Sequence, residues 1–171
     1  VAKKKPTIEP LNERFRLVNR RIDAIAPDIF VKQPSTILEM FLLMAQREEN
    51  LRVRVTSIRA LRQAVHLIDD EFRHDPENCR LFLRILKAPY TVVTQLTRMR
   101  RYGVLGRYLP AFGNIVGQMQ HDLFHIYTVD AHAMMVIRNM RRFRYESALE
   151  EFPIAHRCVK NIPKGELLYI A

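Results

Sequence analysis

Glycine is scarce, five residues in 171, and no stretch is low in complexity, so regular elements rather than linkers fill the chain. A Gly-rich phosphate loop, a dinucleotide fingerprint and a nucleophile elbow are all missing. Their absence excludes those routes to nucleotide binding and acyl transfer from these residues. Only two cysteines occur, Cys79 and Cys158, far apart and without C-x-x-C spacing. They make neither a zinc knuckle nor a disulfide framework, and a reducing cytoplasm is the simplest setting. Long apolar runs are lacking as well. The longest, "MFLLMA" at 40–45, falls far short of the ~20 residues that span a bilayer, and no secretory signal precedes it. No membrane partner is expected. No repeat with a period of roughly 20–50 residues is visible, which argues against a solenoid.

What is present is the composition of a folding chain: 48% apolar and 27% charged residues, with enough length for one domain, or one domain and part of a second. The formal charge is +10 and the pI about 10.1. A basic balance of this size raises the possibility of phosphate neutralisation and nucleic-acid binding. The arginines, however, are dispersed from Arg14 to Arg157, with dense clusters only in "TRMRRYGVLGR" (97–107) and "RNMRRFR" (138–144). Solvated helix faces are the favoured reading of that dispersion. A stand-alone basic helical module that binds nucleic acid is the alternative.

Helical periodicity dominates. In "PSTILEMFLLMAQRE", Thr36 and Glu39 have capping-box spacing, and Ile37, Leu38, Phe41, Leu42, Met44 and Ala45 recur at helical intervals, predicting a helix over 36–48. "TSIRALRQAVHLIDD" places Ile58, Leu61, Val65 and Ile68 on one stripe, with Thr56 as the N-cap. "DPENCRLFLRILK" opens with Asp75 as cap and Pro76 at the first helical position. "TVVTQLTRMRRYG" carries Val92, Val93, Leu96 and Met99 and stops at Gly103. Short connections pack such helices into a bundle. The early segment reads two ways: Leu11, Phe15, Val18, Ile22 and Ile25 fit a helical stripe, whereas Phe15 and Leu17, then Ile22 and Ala24, fit two strands turning at Asn19-Arg20. Periodicity alone does not separate these, and a small hairpin is the preferred reading. The fold class expected is mainly α, a helical bundle with a small N-terminal β-hairpin.

Histidines concentrate in "QHDLFHIYTVDAHAMM" (120–135), which holds His121, His125 and His132 of six in the chain. Thr128 is placed to cap a helix whose first turn carries Asp130, where a carboxylate suits the positive end of the helix dipole. From there Val129, Ala133, Val136, Ile137, Met140 and Phe143 span roughly 120° of a helical wheel. His132 sits on the edge of that stripe and is expected to point into the core or a cleft beside it. His121 and His125 share a face only if their stretch is helical. The residue after His121 is Asp122, not the glutamate of the zinc-protease pattern. By spacing alone all three histidines read as core or rim residues.

The stretch "GRYLPAFGNIVGQMQHDLFHIYTVDAHAMMVIRNMRRF" (106–143) resembles the junction between the helical region and the HD domain in the bacterial family of PII uridylyltransferases and uridylyl-removing enzymes. "PLNERFRLVNRRI", "QPSTILEMFLLMAQ" and "TSIRALRQAVHLIDDEFR" are similar to the same family. Its members order a nucleotidyltransferase domain, a helical region, an HD phosphohydrolase domain and two small-molecule-binding domains. The resemblance therefore implies an internal piece: 1–10 as linker, 11–127 as the helical region after the transferase domain, and 128–171 as the truncated start of the HD domain.

By that resemblance His132 matches the first metal ligand of the HD set, with His125 and Asp130 as candidates to orient it. The family places a hydroxyl residue after this histidine, where this chain has Ala133. One imidazole does not hold a catalytic ion, since such sites need several ligands around an open position, so no complete catalytic set is expected here. For the whole protein the resemblance implies UTP, glutamine and the PII signalling protein as partners, and a magnesium or manganese ion that activates water for uridylyl removal. For these 171 residues it implies no bound metal, a cytoplasmic location, and self-association through surfaces that missing neighbours would cover.

Overall fold

The structure, a computed structural model, describes residues 6–119 and 127–171. It is mainly α with a small sheet near the N-terminus. Two compact units divide the chain, Val1–Pro110 and Ala111–Ala171. This division falls earlier than the 127/128 boundary drawn from family resemblance.

In the first unit the ambiguous early segment is a hairpin. Strand β1 spans Ile8–Pro10, β2 Phe15–Val18 and β3 Arg21–Ala24. Val18 pairs with Arg21 across a two-residue turn whose central residues, Asn19 and Arg20, have φ of 50° and 61°. Positive φ at both positions is what a tight hairpin turn with the native strand twist demands. Strand β1 pairs antiparallel with β2, so part of the 1–10 segment expected as linker is built into the sheet. Strand β4, Arg52–Val53, adds in parallel beside β3, giving the order β1-β2-β3-β4. Phe15 and Ile22, one from each hairpin strand, are fully buried.

Between β3 and β4 run α1 (Ile29–Lys32) and α2 (Thr36–Ala45). Helix α2 is apolar nearly all round: Ile37, Leu38, Met40, Phe41, Met44 and Ala45 are each 0% exposed. A helix without a polar face must be enclosed, and α1, α5 and α6 pack around it. Truncating a buried phenylalanine such as Phe41 to alanine costs about 3–5 kcal/mol in cores of this kind. After β4 come α3 (Val55–Ala64), a 3₁₀ turn at Val65–Leu67, α4 (Asp70–His74), α5 (Pro76–Lys87), α6 (Val92–Tyr102) and α7 (Val104–Tyr108).

The expected caps hold in part. Asp75 accepts the Asn78 N–H at 2.9 Å with Pro76 at the first helical position. Gly103 ends α6 in the left-handed conformation at φ 84°. The capping box at Thr36 and Glu39 is overturned. The Thr36 hydroxyl instead donates to the Gln33 carbonyl at 2.7 Å, and Glu39 turns to Arg14 and Asn12 on the hairpin side. Thr56 does not cap α3: Arg54 holds that position, and the Thr56 hydroxyl donates to Asp23 at 3.3 Å. Helix α2 stops at Ala45 rather than 48. Thr91 ties its last turn, donating from its hydroxyl to the Met44 carbonyl at 2.9 Å and from its N–H to that of Ala45, which satisfies carbonyls that a helix end leaves orphaned.

The second unit contains α8 (Pro110–Ile115, whose first residue belongs to the preceding unit), α9 (Val129–Arg142), a 3₁₀ turn at Glu146–Ala148, α10 (Pro153–Lys160) and a second 3₁₀ turn at Gly165–Tyr169. Among the described residues, no helix is long and apolar enough to cross a membrane.

Candidate functional site

Helix α9 is the element that presents His132. Its start is tied to the end of the segment after α8 in two ways: the Val129 N–H donates to the Gln118 carbonyl at 3.0 Å, and the Gly117 N–H donates to the Asp130 carboxylate at 3.2 Å. Asp130 is 1% exposed. A carboxylate buried in the first helical turn is held by the backbone N–H it receives and by the positive end of the helix. Thr128 occupies the N-cap with extended backbone, as expected, but makes no side-chain cap bond.

The apolar stripe expected on α9 is rotated. The buried face is Asp130, Met134 and Ile137, at spacings of four and three residues, one side of a helix. Val129 and Val136, from the expected stripe, are 36% and 38% exposed. His132 is exposed rather than pointing into the core, because the buried carboxylate pulls the face two positions earlier inward. Residues two apart lie about 200° around a helix, so Asp130 and His132 face different ways. His121 and His125, the remaining members of the histidine cluster, lie outside the described residues.

At its other end α9 is clamped by a histidine that spacing arguments did not single out. His156 on α10 is 2% exposed, and its Nδ1 lies 2.8 Å from the Phe143 carbonyl at the end of α9. A carbonyl only accepts, so Nδ1 carries the proton in this contact. The other ring nitrogen, Nε2, is buried and lies 3.7 Å from Glu146, whose carboxylate also binds Lys160 at 2.5 Å. That lysine holds the Glu146 carboxyl below its ordinary value.

The 138–144 arginine cluster is largely occupied by packing. Arg142 pairs with Glu151 and lies over the Phe152 ring, Arg141 lies over Tyr169, and Arg144 sits against Gly165 so closely that a Cβ there would collide with it. In the 97–107 cluster, Arg98 binds the side-chain oxygens of Gln95 and Asn50. These contacts fit faces of helices rather than a continuous basic stripe for nucleic acid.

A metal would need more than His132 offers. Among the described residues, no group of three or more histidine, cysteine, aspartate or glutamate side chains is arranged to hold an ion.

Comparison with known proteins gives a consistent result. Residues 15–108 match the family described as "Uridylyltransferase GlnD third domain". Proteins named "Bifunctional uridylyltransferase/uridylyl-removing enzyme" are similar over almost the whole chain: 50% identity over 96% of it in Pseudomonas aeruginosa, 51% over 95% in Ectopseudomonas mendocina, and 51% over 95% in Pseudomonas putida. The chain spans 18% of the length of each of these relatives. No solved structure matches it. Nothing in these matches supports the nucleic-acid reading. With more than half of its residues matched to one family and half identical to enzymes of that name, the chain belongs to the GlnD uridylyltransferase family.

Proposed function

We propose that the chain is an internal region of a cytoplasmic bifunctional enzyme that uridylylates the PII signalling protein from UTP and removes UMP from it, under glutamine control. The likeness to enzymes of that double name across almost the whole chain is the observation that carries this reading. On this view residues 11–127 form the helical region after the nucleotidyltransferase domain, and 128–171 begin the HD domain. The 171 residues alone then carry neither activity.

Within that frame α9 carries the first ligand of the uridylyl-removing site, His132. Its exposure on a helix anchored at both ends supports the role. A ligand needs a fixed backbone and an open side chain, and α9 supplies both. Asp130 contributes by fixing the start of that helix, and His125 is kept as a candidate neighbour. The remaining ligands for a magnesium or manganese ion come from outside the described residues. The test uses the full-length enzyme: release of UMP from uridylylated PII, and transfer from UTP, measured before and after His132→Ala. Loss of release by at least a hundredfold with transfer retained is expected. Unchanged release would make His132 a surface residue and α9 a scaffold only.

A further inference from the structure

We propose that the cleft between the β2–β3 turn and the loop entering β4, in the first unit, binds a phosphate group. The cleft encloses about 280 Å³ and is lined by Asn19, Arg20, Arg21, Glu49, Asn50 and Arg52, with Leu51. Arg21 and Arg52 are register partners on the adjacent parallel strands β3 and β4 and are both exposed, so two like charges stand side by side at one surface, an arrangement that an anion between them would favour. Among the described residues neither forms an ion pair. The cleft's one carboxylate, Glu49, is engaged by Arg20 at 3.1 Å.

The remaining polar groups are donors. The Asn19 side-chain oxygen already accepts the Thr7 N–H at 3.0 Å, and that of Asn50 accepts from Arg98 at 2.9 Å. Each asparagine thus has its NH₂ group left to offer. Arg98 stands behind Asn50, held there and by Gln95 through neutral oxygens alone. Burial lowers the pKa of its guanidinium below the usual arginine value; Tyr102 opposes that, and repulsion from Arg101 and Arg52 acts in the same direction as burial. An anion in the cleft would relieve this crowding. Arg20 adds a further sign: it holds a left-handed turn position that glycine fills without strain, and the arginine sets a guanidinium at the rim instead.

Guanidinium groups match the oxygens of phosphate in paired geometry. The volume lies just under the usual range for small-molecule pockets. Donors gathered around one open cleft suit a phosphate group, free or at the end of a nucleotide, rather than an extended acidic segment. Both free phosphate and the monoester group of a nucleotide carry the required chemistry. The proposal stands apart from the role of His132.

The experiment is a titration of the 171-residue chain, followed by ¹H–¹⁵N NMR, with inorganic phosphate, with AMP and with a glutamate-rich peptide, at ionic strength held constant with sodium chloride. Saturable shifts at Asn19, Arg21, Asn50 and Arg52 are expected. Affinity should fall at least tenfold in Arg21→Gln and in Arg52→Gln taken separately, and should be unchanged in Arg157→Gln. Spectral dispersion checks folding of each variant. Equal affinity for phosphate and AMP would identify the free ion as sufficient, whereas tighter AMP binding would identify a monoester as the ligand. The idea fails if no saturable shift appears, if the Arg21 and Arg52 variants bind as the parent does, or if only the glutamate-rich peptide binds.

Discussion

Asp23 shows how much one residue can tie together. It is 3% exposed on β3, and its carboxylate receives hydrogen bonds from Arg16 at 3.1 Å, Arg54 at 3.2 Å, Thr56 at 3.3 Å and Ser57 at 3.0 Å. The Ser57 oxygen in turn accepts the Ala24 N–H at 2.9 Å. One buried acid thus joins both hairpin strands to the start of α3. Removing one partner of a fully buried ion pair costs about 3–5 kcal/mol, but Arg16 and Arg54 are 34% and 39% exposed and regain water. Asp23→Ala should therefore cost about 2–3 kcal/mol, measured by chemical denaturation. A loss under about 1 kcal/mol would show that the hairpin and α3 hold together without this tie.

Among elements, the α9–α10 pair rests on charge as well as packing. Phe143 and Phe152 meet edge to face with ring centres 5.2 Å apart, and the Lys160–Glu146 contact lies beside the buried His156. Because Lys160 depresses the Glu146 pKa, the pair's contribution is present above the carboxyl's unfolded value and is lost as pH falls through the folded one. A ¹³C titration of Glu146 should give a midpoint below the ordinary carboxylate range, rising toward it in Lys160→Met. A midpoint unmoved by that substitution would mean the contact does not persist in solution. Element-level reading also explains where expectation failed. The capping box at Thr36 and Glu39 met the right spacing, but Arg14, 25 residues away in sequence, offered Glu39 a charged partner stronger than a backbone N–H.

For the whole molecule, the division at Pro110 has a direct consequence. The hairpin, β4 and helices α1 to α7 share one core, with the large side chains Phe15, Phe30, Phe41 and Ile85 all fully buried in it. A unit with its own core can in principle fold alone. A chain of residues 1–110 is therefore expected to give a cooperative thermal melt and a dispersed NMR spectrum. A non-cooperative melt would show that the first unit depends on the residues after Pro110.

The fold class, the Asp75 cap and the Gly103 stop were legible in the sequence because each depends on neighbours within a few positions, and the hairpin at Asn19-Arg20 was one of two readings that the early segment allowed. The family was legible from long stretches such as 106–143, which no local rule would have singled out. Only the tertiary structure decided which face of α9 is buried. Asp130 turned inward to receive a backbone N–H from Gly117, thirteen residues earlier in the chain, and His132 was thereby left in the open. The clamp at His156 and the arginine cleft were hidden for the same reason: their partners come together through packing between distant segments, which the spacing of residues along one segment does not encode.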